Sequence, residues 1–83
     1  MKKINMNRLC DERDLNPFMW SDLQNTVLNI VCEYENGAPR SDVAVSLREA
    51  GYQVPGSAGD FESILEVLGF TLVRKGRITL VTI

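Results

Sequence analysis

Apolar residues recur at helical spacing in three stretches of this chain and are dense in its last fourteen residues. The first stripe falls on one helical face and consists of Leu23, Val27, Ile30, Val31 and Tyr34. Two starts are open for this helix. Asn16-Pro17 suits a first turn, where proline is tolerated, and Ser21 with Gln24 forms a capping box. Asn36-Gly37 is the predicted end.

Two shorter helices are predicted next. One is predicted to open within Ala38-Pro39-Arg40-Ser41, with Ser41 or a neighbour as the cap, and to end at Gly51. Its predicted buried face is Val43, Ala44, Leu47 and Ala50. The other begins at Ser57, which is three residues before Asp60 and can cap the helix with its hydroxyl. Its apolar stripe is Phe61, Ile64, Leu65 and Leu68. Gly69 is the predicted stop signal.

Residues 70 to 83, FTLVRKGRITLVTI, have the composition of a β-hairpin. If Lys75-Gly76 is the two-residue loop, Val73 pairs with Ile78 and Arg74 lies beside Arg77. Like charges that face each other cost up to about 1 kcal/mol. We call Arg74, Lys75 and Arg77 the basic tip. Because the fold gains no stability from these three cations, a binding role explains them better.

Residues 1 to 16 show no clear period, and two interpretations stay open for them. They are either a flexible arm or an arm that docks on the first helix or on a second subunit. Residues 17 to 83 form the predicted domain. The predicted fold is mainly α with a small antiparallel β-hairpin, in the order α-α-α-β-β.

Composition narrows the class of protein. The chain has 83 residues, enough for one domain, and its apolar content of 45% excludes disorder. No apolar run approaches the ~18 residues of a membrane span. Polar residues interrupt the N-terminal segment where a secretory signal needs an apolar region. We therefore expect a cytoplasmic protein without a membrane partner.

The reactive side chains give no sign of catalysis. The chain contains no histidine, and its two cysteines, Cys10 and Cys32, lack the spacing of a metal site. The commonest general base is absent, and so are the catalytic triads that depend on it. We expect no enzymatic activity, no metal, no cofactor and no small-molecule ligand. The interpretation therefore concerns macromolecular binding.

Charge is separated along the chain. The formal net charge is −2, which counts mildly against a nucleic-acid partner. However, residues 57 to 69 contain three acids and no base, whereas residues 70 to 83 contain three bases and no acid. The third helix and the hairpin therefore have opposite charge.

Three helices followed by a basic-tipped hairpin resemble winged helix-turn-helix DNA-binding domains over residues 20 to 83. The resemblance implies that the third helix lies in the major groove of double-stranded DNA and that the hairpin, or wing, reaches phosphates. Carried over by position, the DNA-binding residues are Arg40, Ser41, Ser57, Ser63, Arg74, Lys75 and Arg77. The resemblance also implies that the protein is a small transcriptional regulator of phage, plasmid or bacterial type. We expect it to be a homodimer formed through the flank of the first helix or the terminal strand.

The acidic residues of the third helix favour a different hypothesis about the binding partner. Its outward face presents Glu62, Ser63 and Glu66, whereas a recognition helix normally offers basic or amide side chains to base edges. An acidic face suits a basic protein partner. The alternative function is therefore a protein–protein interaction module or inhibitor that docks through these three residues.

Overall fold

The computed structural model describes residues 3 to 83, so Met1 and Lys2 of the predicted arm lie outside the described residues. The elements in chain order are β1 (Ile4–Asn5), α1 (Met6–Asp11), α2 (Pro17–Cys32), β2 (Ala38–Pro39), α3 (Arg40–Glu49), β3 (Tyr52–Gln53), α4 (Ala58–Val67), β4 (Thr71–Lys75) and β5 (Ile78–Thr82). Within those residues the chain is an α/β domain of four helices and a small antiparallel sheet. The sequence predicted the three longer helices and the hairpin, but not α1.

Helix α2 begins at Pro17, so the first of the two predicted starts is confirmed. Ser21 lies inside the helix, and its interpretation as a cap is wrong. The helix ends at Cys32, before the predicted stop at Asn36-Gly37. Gly37 has a φ of 100° and leads into β2 instead.

The predicted boundaries of the next two helices are close to the observed ones, but the N-cap of α3 is Pro39 without a side-chain hydrogen bond, so the expected cap by Ser41 or a neighbour is wrong. Gly51, with a φ of 97°, directly follows the C-cap of α3 and ends that helix as expected. At the start of α4 the Ser57 hydroxyl accepts a hydrogen bond from the backbone N–H of Asp60 at 3.5 Å, as predicted. Gly69, with a φ of 101°, follows the end of α4.

The hairpin forms with a different register from the predicted one. Lys75 pairs with Ile78, Val73 with Leu80 and Arg74 with Thr79, so Gly76-Arg77 is the loop. Gly76 has a φ of 62° at the first loop position, where a type II′ turn takes glycine. The predicted loop would have required a positive φ at Lys75, a backbone conformation that residues with a side chain rarely adopt. The expected side-by-side pairing of Arg74 and Arg77 is therefore wrong.

Three strands of two residues each complete the sheets. β2 pairs antiparallel with β5 through Ala38 and Val81, which gives a three-stranded sheet in the order β2-β5-β4. β1 pairs parallel with β3 through Ile4 and Tyr52. Two residues carry too little pattern to predict a strand, so the sequence did not predict these three pairing segments.

The described part of the N-terminal segment packs into the common core. Met6 is fully buried and Leu9 is 5% exposed, and both contribute to the same cluster as residues from α2, α3, α4 and β5. The Ile4 N–H donates to the Gly51 carbonyl at 2.9 Å. Residues 4 to 11 thus lie on their own domain. None of the described helices has the length and apolar character needed to span a bilayer.

Candidate nucleic-acid interface

The basic tip lies at the exposed end of the hairpin. The β4–β5 ladder fixes Arg74 and Lys75 in one strand, whereas Arg77 occupies the second loop position. All three side chains are exposed. A type II′ turn matches the twist of its strands and gives the tip a defined conformation. The tip therefore presents its cations to solvent from an ordered hairpin.

The tip meets the start of α3. Arg40 and Ser41, at the first two positions of α3, line one cleft of about 100 Å³ together with Arg77, Ile78 and Thr79. We call this cleft the basic cleft. Residues that the sequence predicted separately, on a helix and on a hairpin, are thus brought together.

Backbone groups add to the positive character of the basic cleft. The N-cap of α3 is Pro39, and no side chain caps the first turn of the helix. The leading N–H groups of a helix lack intrahelical acceptors, and the helix dipole places partial positive charge there. Such an end favours a phosphate or another anion. Two arginines and a helix N-terminus therefore converge on one small volume.

The acid nearest to the basic cleft on α3 has its own partner. Asp42 accepts a hydrogen bond from the Tyr34 hydroxyl at 3.1 Å and is not among the residues that line the cleft. The bond to this carboxylate raises the pKa of the Tyr34 phenol. Asp42 therefore helps to join α3 to the end of α2.

Glu62 of α4 joins the two other elements of the site. Its carboxylate accepts a hydrogen bond from Arg40 through one oxygen and from Arg74 Nη2 at 3.0 Å through the other. Arg74 also donates to Thr79 Oγ1 at 3.5 Å. The Glu62 side chain is only 13% exposed, whereas that of Arg74 is 72% exposed. We call these three charged residues the Arg40–Glu62–Arg74 bridge.

This bridge changes the charge of the surface. Two guanidinium groups and one carboxylate carry a net charge of about +1, so Glu62 does not present a free negative charge to solvent. The predicted acidic face is correspondingly smaller, since Glu62 is bound to two arginines. Glu66 is exposed, and no ion-pair partner is found for it among residues 3 to 83.

The serines on α4 bond to their own helix. The Ser57 hydroxyl caps the first turn, and the Ser63 hydroxyl donates to the Gly59 carbonyl at 3.0 Å. Both residues are exposed, but neither lines the basic cleft. The predicted DNA-binding residues therefore divide into three groups. Arg40, Ser41, Arg74 and Arg77 surround the cleft and the bridge, and two serines lie on α4. Lys75 lines a separate groove with Tyr34 and Val73.

Sequence reasoning did not find the Arg40–Glu62–Arg74 bridge. Glu62 is far from both arginines in the chain, and no local spacing links them. The opposite charge of α4 and the hairpin was the only available signal. Thr79, buried and bonded to Arg74, was also not predicted to be part of the site.

Comparison with known proteins adds no relative: no protein-family model, curated protein or solved structure matches this chain. Within the described part of the chain, no three metal-ligating side chains lie close enough together to hold an ion. The geometry of the site itself is therefore the basis for its function.

Proposed function

We propose that this protein is a small DNA-binding regulator of the winged-helix type, in which α2, α3 and α4 are the three helices and β4–β5 is the wing. The observation that carries the proposal is the basic cleft. Arg40, Ser41 and Arg77 converge there with the uncapped N-terminus of α3. A DNA phosphate is the ligand that matches the guanidinium of Arg77, the donors of Arg40 that Glu62 does not hold, and the leading N–H groups of α3.

The basic tip extends this contact along the DNA backbone. Lys75 and Arg77 are exposed, and neither has an ion-pair partner among residues 3 to 83. Their charges are free to displace counterions from neighbouring phosphates. Arg74 takes part with its other donors while Glu62 holds it in place. The hairpin therefore supplies most of the electrostatic attraction.

The Arg40–Glu62–Arg74 bridge lowers the cost of an acidic third helix near DNA. An unpaired glutamate in the phosphate field would repel the duplex, but Glu62 is already balanced by two cations. Ser57 and Ser63 lie on the exposed side of α4, and Ser57 is at its N-terminus. In the proposed complex the first turns of α4 approach the groove, while the basic cleft and the basic tip hold the backbone.

Titration of a labelled duplex at two salt concentrations tests the proposal. We expect Lys75→Ala with Arg77→Ala to weaken binding to all duplex sequences by about tenfold and to lower the salt slope by about 2. Arg74 is left unchanged because its bond to Glu62 also supports the fold.

Arg48→Ala is the matched control. Arg48 is an exposed arginine in the last turn of α3, at the end opposite Arg40. We expect this variant to bind as the wild type does. Salt-independent binding by the wild type, or equal loss in Arg48→Ala and the double variant, would overturn the proposal.

A protein-interaction module is the second candidate. It is favoured by exposed Glu66, which has no ion-pair partner among residues 3 to 83, by its neighbour Ser63 and by the net charge of −2. In this hypothesis, an acidic face that includes Glu66 docks on a basic partner protein. Glu66→Lys distinguishes the two candidates because they predict opposite effects of this substitution on binding. It adds positive charge and strengthens DNA binding in the first hypothesis, but it abolishes recovery of a basic partner in the second.

A further inference from the structure

The strand β4 is an open edge of the three-stranded sheet. In the part of the chain that the structure describes, β5 lies on one side of β4 and no strand lies on the other. Thr71–Lys75 contains no proline and no bulge, and the central Val73 is 36% exposed. An edge strand offers its unpaired backbone groups to another strand, and along β4 the charges of Arg74 and Lys75 are the features that oppose such pairing.

The hairpin loop determines which backbone groups face that open edge. With a two-residue loop, the flanking residues Lys75 and Ile78 form a hydrogen-bonded pair. Hydrogen-bonded and non-hydrogen-bonded pairs alternate along an antiparallel ladder. Thr71, Val73 and Lys75 therefore direct their N–H and C=O groups toward β5. Leu72 and Arg74 direct theirs outward.

We propose that β4 pairs antiparallel with β4 of a second copy of this chain, with the two-fold axis at Val73. This register opposes Leu72 of one copy to Arg74 of the other. Each such pair exchanges two backbone hydrogen bonds, since both residues have outward groups. The two Val73 residues then form a non-hydrogen-bonded pair, whose side chains approach most closely. The two three-stranded sheets join into one.

Strand length and charge together favour this register, because only an axis at Val73, the central residue of Thr71–Lys75, opposes all five residues of β4 to one another. An axis at Arg74 would oppose two arginines, which destabilises a strand pair. With the axis at Val73, Arg74 faces Leu72 of the other copy and Lys75 faces Thr71. No like charges are directly opposed. Gly76 and Arg77 lie beyond the paired residues, so the loop remains open to solvent.

A groove beside β4 can take the side chains of the second copy. This edge groove has a volume of about 500 Å³ and is lined by Glu62, Glu66, Gly69, Phe70, Thr71, Leu72 and Arg74. In the proposed pair, Arg74 of the second copy lies opposite Leu72 and on the same side of the sheet as this groove. Glu66 supplies a complementary carboxylate there. The partner that fits the edge is thus a second copy of this chain.

Disulfide trapping tests the register. Cα atoms in a non-hydrogen-bonded pair are about 4.5 Å apart, which lies within the range that a disulfide spans. In a background with Cys10→Ser and Cys32→Ser, we expect Val73→Cys to form covalent dimers under mild oxidation. The control is Val67→Cys, a half-exposed site on α4 that should stay monomeric. No cross-link at residue 73, or equal cross-linking at residue 67, would overturn the register.

Molar mass measured by light scattering tests the interface without any added cysteine. We expect a wild-type dimer that dissociates in Val73→Lys, because the substitution opposes two cations at the axis. Val45→Lys changes a half-exposed valine on α3 and should stay dimeric. A wild-type monomer at all concentrations, or a Val73→Lys dimer, would overturn the proposal. Both measurements are made without DNA, so their outcome is independent of the proposed function.

Discussion

Glu62 is the residue on which the candidate site depends most. Its carboxylate connects α4 to α3 through Arg40 and to the hairpin through Arg74. Hydrogen bonds that involve charged groups are stronger than neutral ones, and a mostly buried acceptor loses more when its partner is removed. One side chain therefore fixes the relative position of three elements.

Glu62→Gln should lower the free energy of unfolding by about 1–2 kcal/mol, because the amide keeps the shape but loses the charge. The expected loss of stability is modest because Arg74 is largely exposed, and solvent screens its attraction to Glu62. Glu49→Gln, at an exposed site on α3 away from the bridge, should change stability by less than about 0.5 kcal/mol. Urea unfolding of both variants checks this. Equal effects would contradict the role of the bridge.

Tyr52 makes the fold sensitive to high pH. Its side chain is buried, and its hydroxyl donates to Asp22 Oδ2 at 2.6 Å. Burial and this hydrogen bond raise the pKa of Tyr52 to about 12, from an ordinary value of 10.0. The folded state favours the neutral phenol. Its contribution to stability is therefore complete below pH 10 and is lost as the pH rises toward about 12.

Tyr52→Phe removes this titration and should lower stability at neutral pH by about 1 kcal/mol, the net value of one hydrogen bond. Between pH 10 and about 12, the wild type should lose stability more steeply than the variant. Urea midpoints across that range measure the difference. Parallel pH profiles for the two proteins would show that Tyr52 does not titrate as expected.

At the scale of elements, Gly37 permits β2 to join the sheet. A Cβ atom at this position would lie 2.7 Å from Thr82 Cγ2 and 3.2 Å from the Val81 carbonyl oxygen. Gly51 shares the positive φ but has open space around it. A side chain at Gly51 would therefore meet backbone strain alone, whereas a side chain at Gly37 would meet backbone strain and a steric clash.

Gly51→Ala should cost about 1–2 kcal/mol from its backbone conformation alone. Gly37→Ala should cost about 1–3 kcal/mol more, because the new methyl group collides with β5. Thermal or urea unfolding of both variants measures the difference. Equal losses of stability would mean that β2 can move away from β5 at no cost in free energy, and that the pairing of these strands contributes little.

At the scale of the whole molecule, α1 makes the N-terminal segment part of the core. Met6→Ala should lower the free energy of unfolding by about 2–5 kcal/mol, because it leaves a cavity among buried side chains. Asn7→Ala changes the exposed neighbour and should have little effect. Urea unfolding compares the two variants. A silent Met6→Ala would indicate that residues 4 to 11 add nothing to the stability of the domain.

The sequence alone determined the three longer helices and the presence of the hairpin. Their signals are local: the stripe from Leu23 to Val31, the Ser57 cap, and the glycines at residues 51 and 69 that allow positive φ. Tyr34, also predicted on that stripe, lies beyond the helix end at Cys32 and is 37% exposed. It also determined that the basic residues at 74 to 77 are close together, because a hairpin tip keeps chain neighbours side by side. Local chemistry is sufficient for features of this kind.

Only the tertiary structure decided what these elements form together. The pairing of β2 with β5, the insertion of Met6 into the core and the cleft that Arg77 shares with the start of α3 all join distant parts of the chain. Glu62 changed from a free acid in the sequence to the acceptor of two arginines in the fold. Such contacts depend on how helices and strands pack, and no local pattern in the chain specifies them.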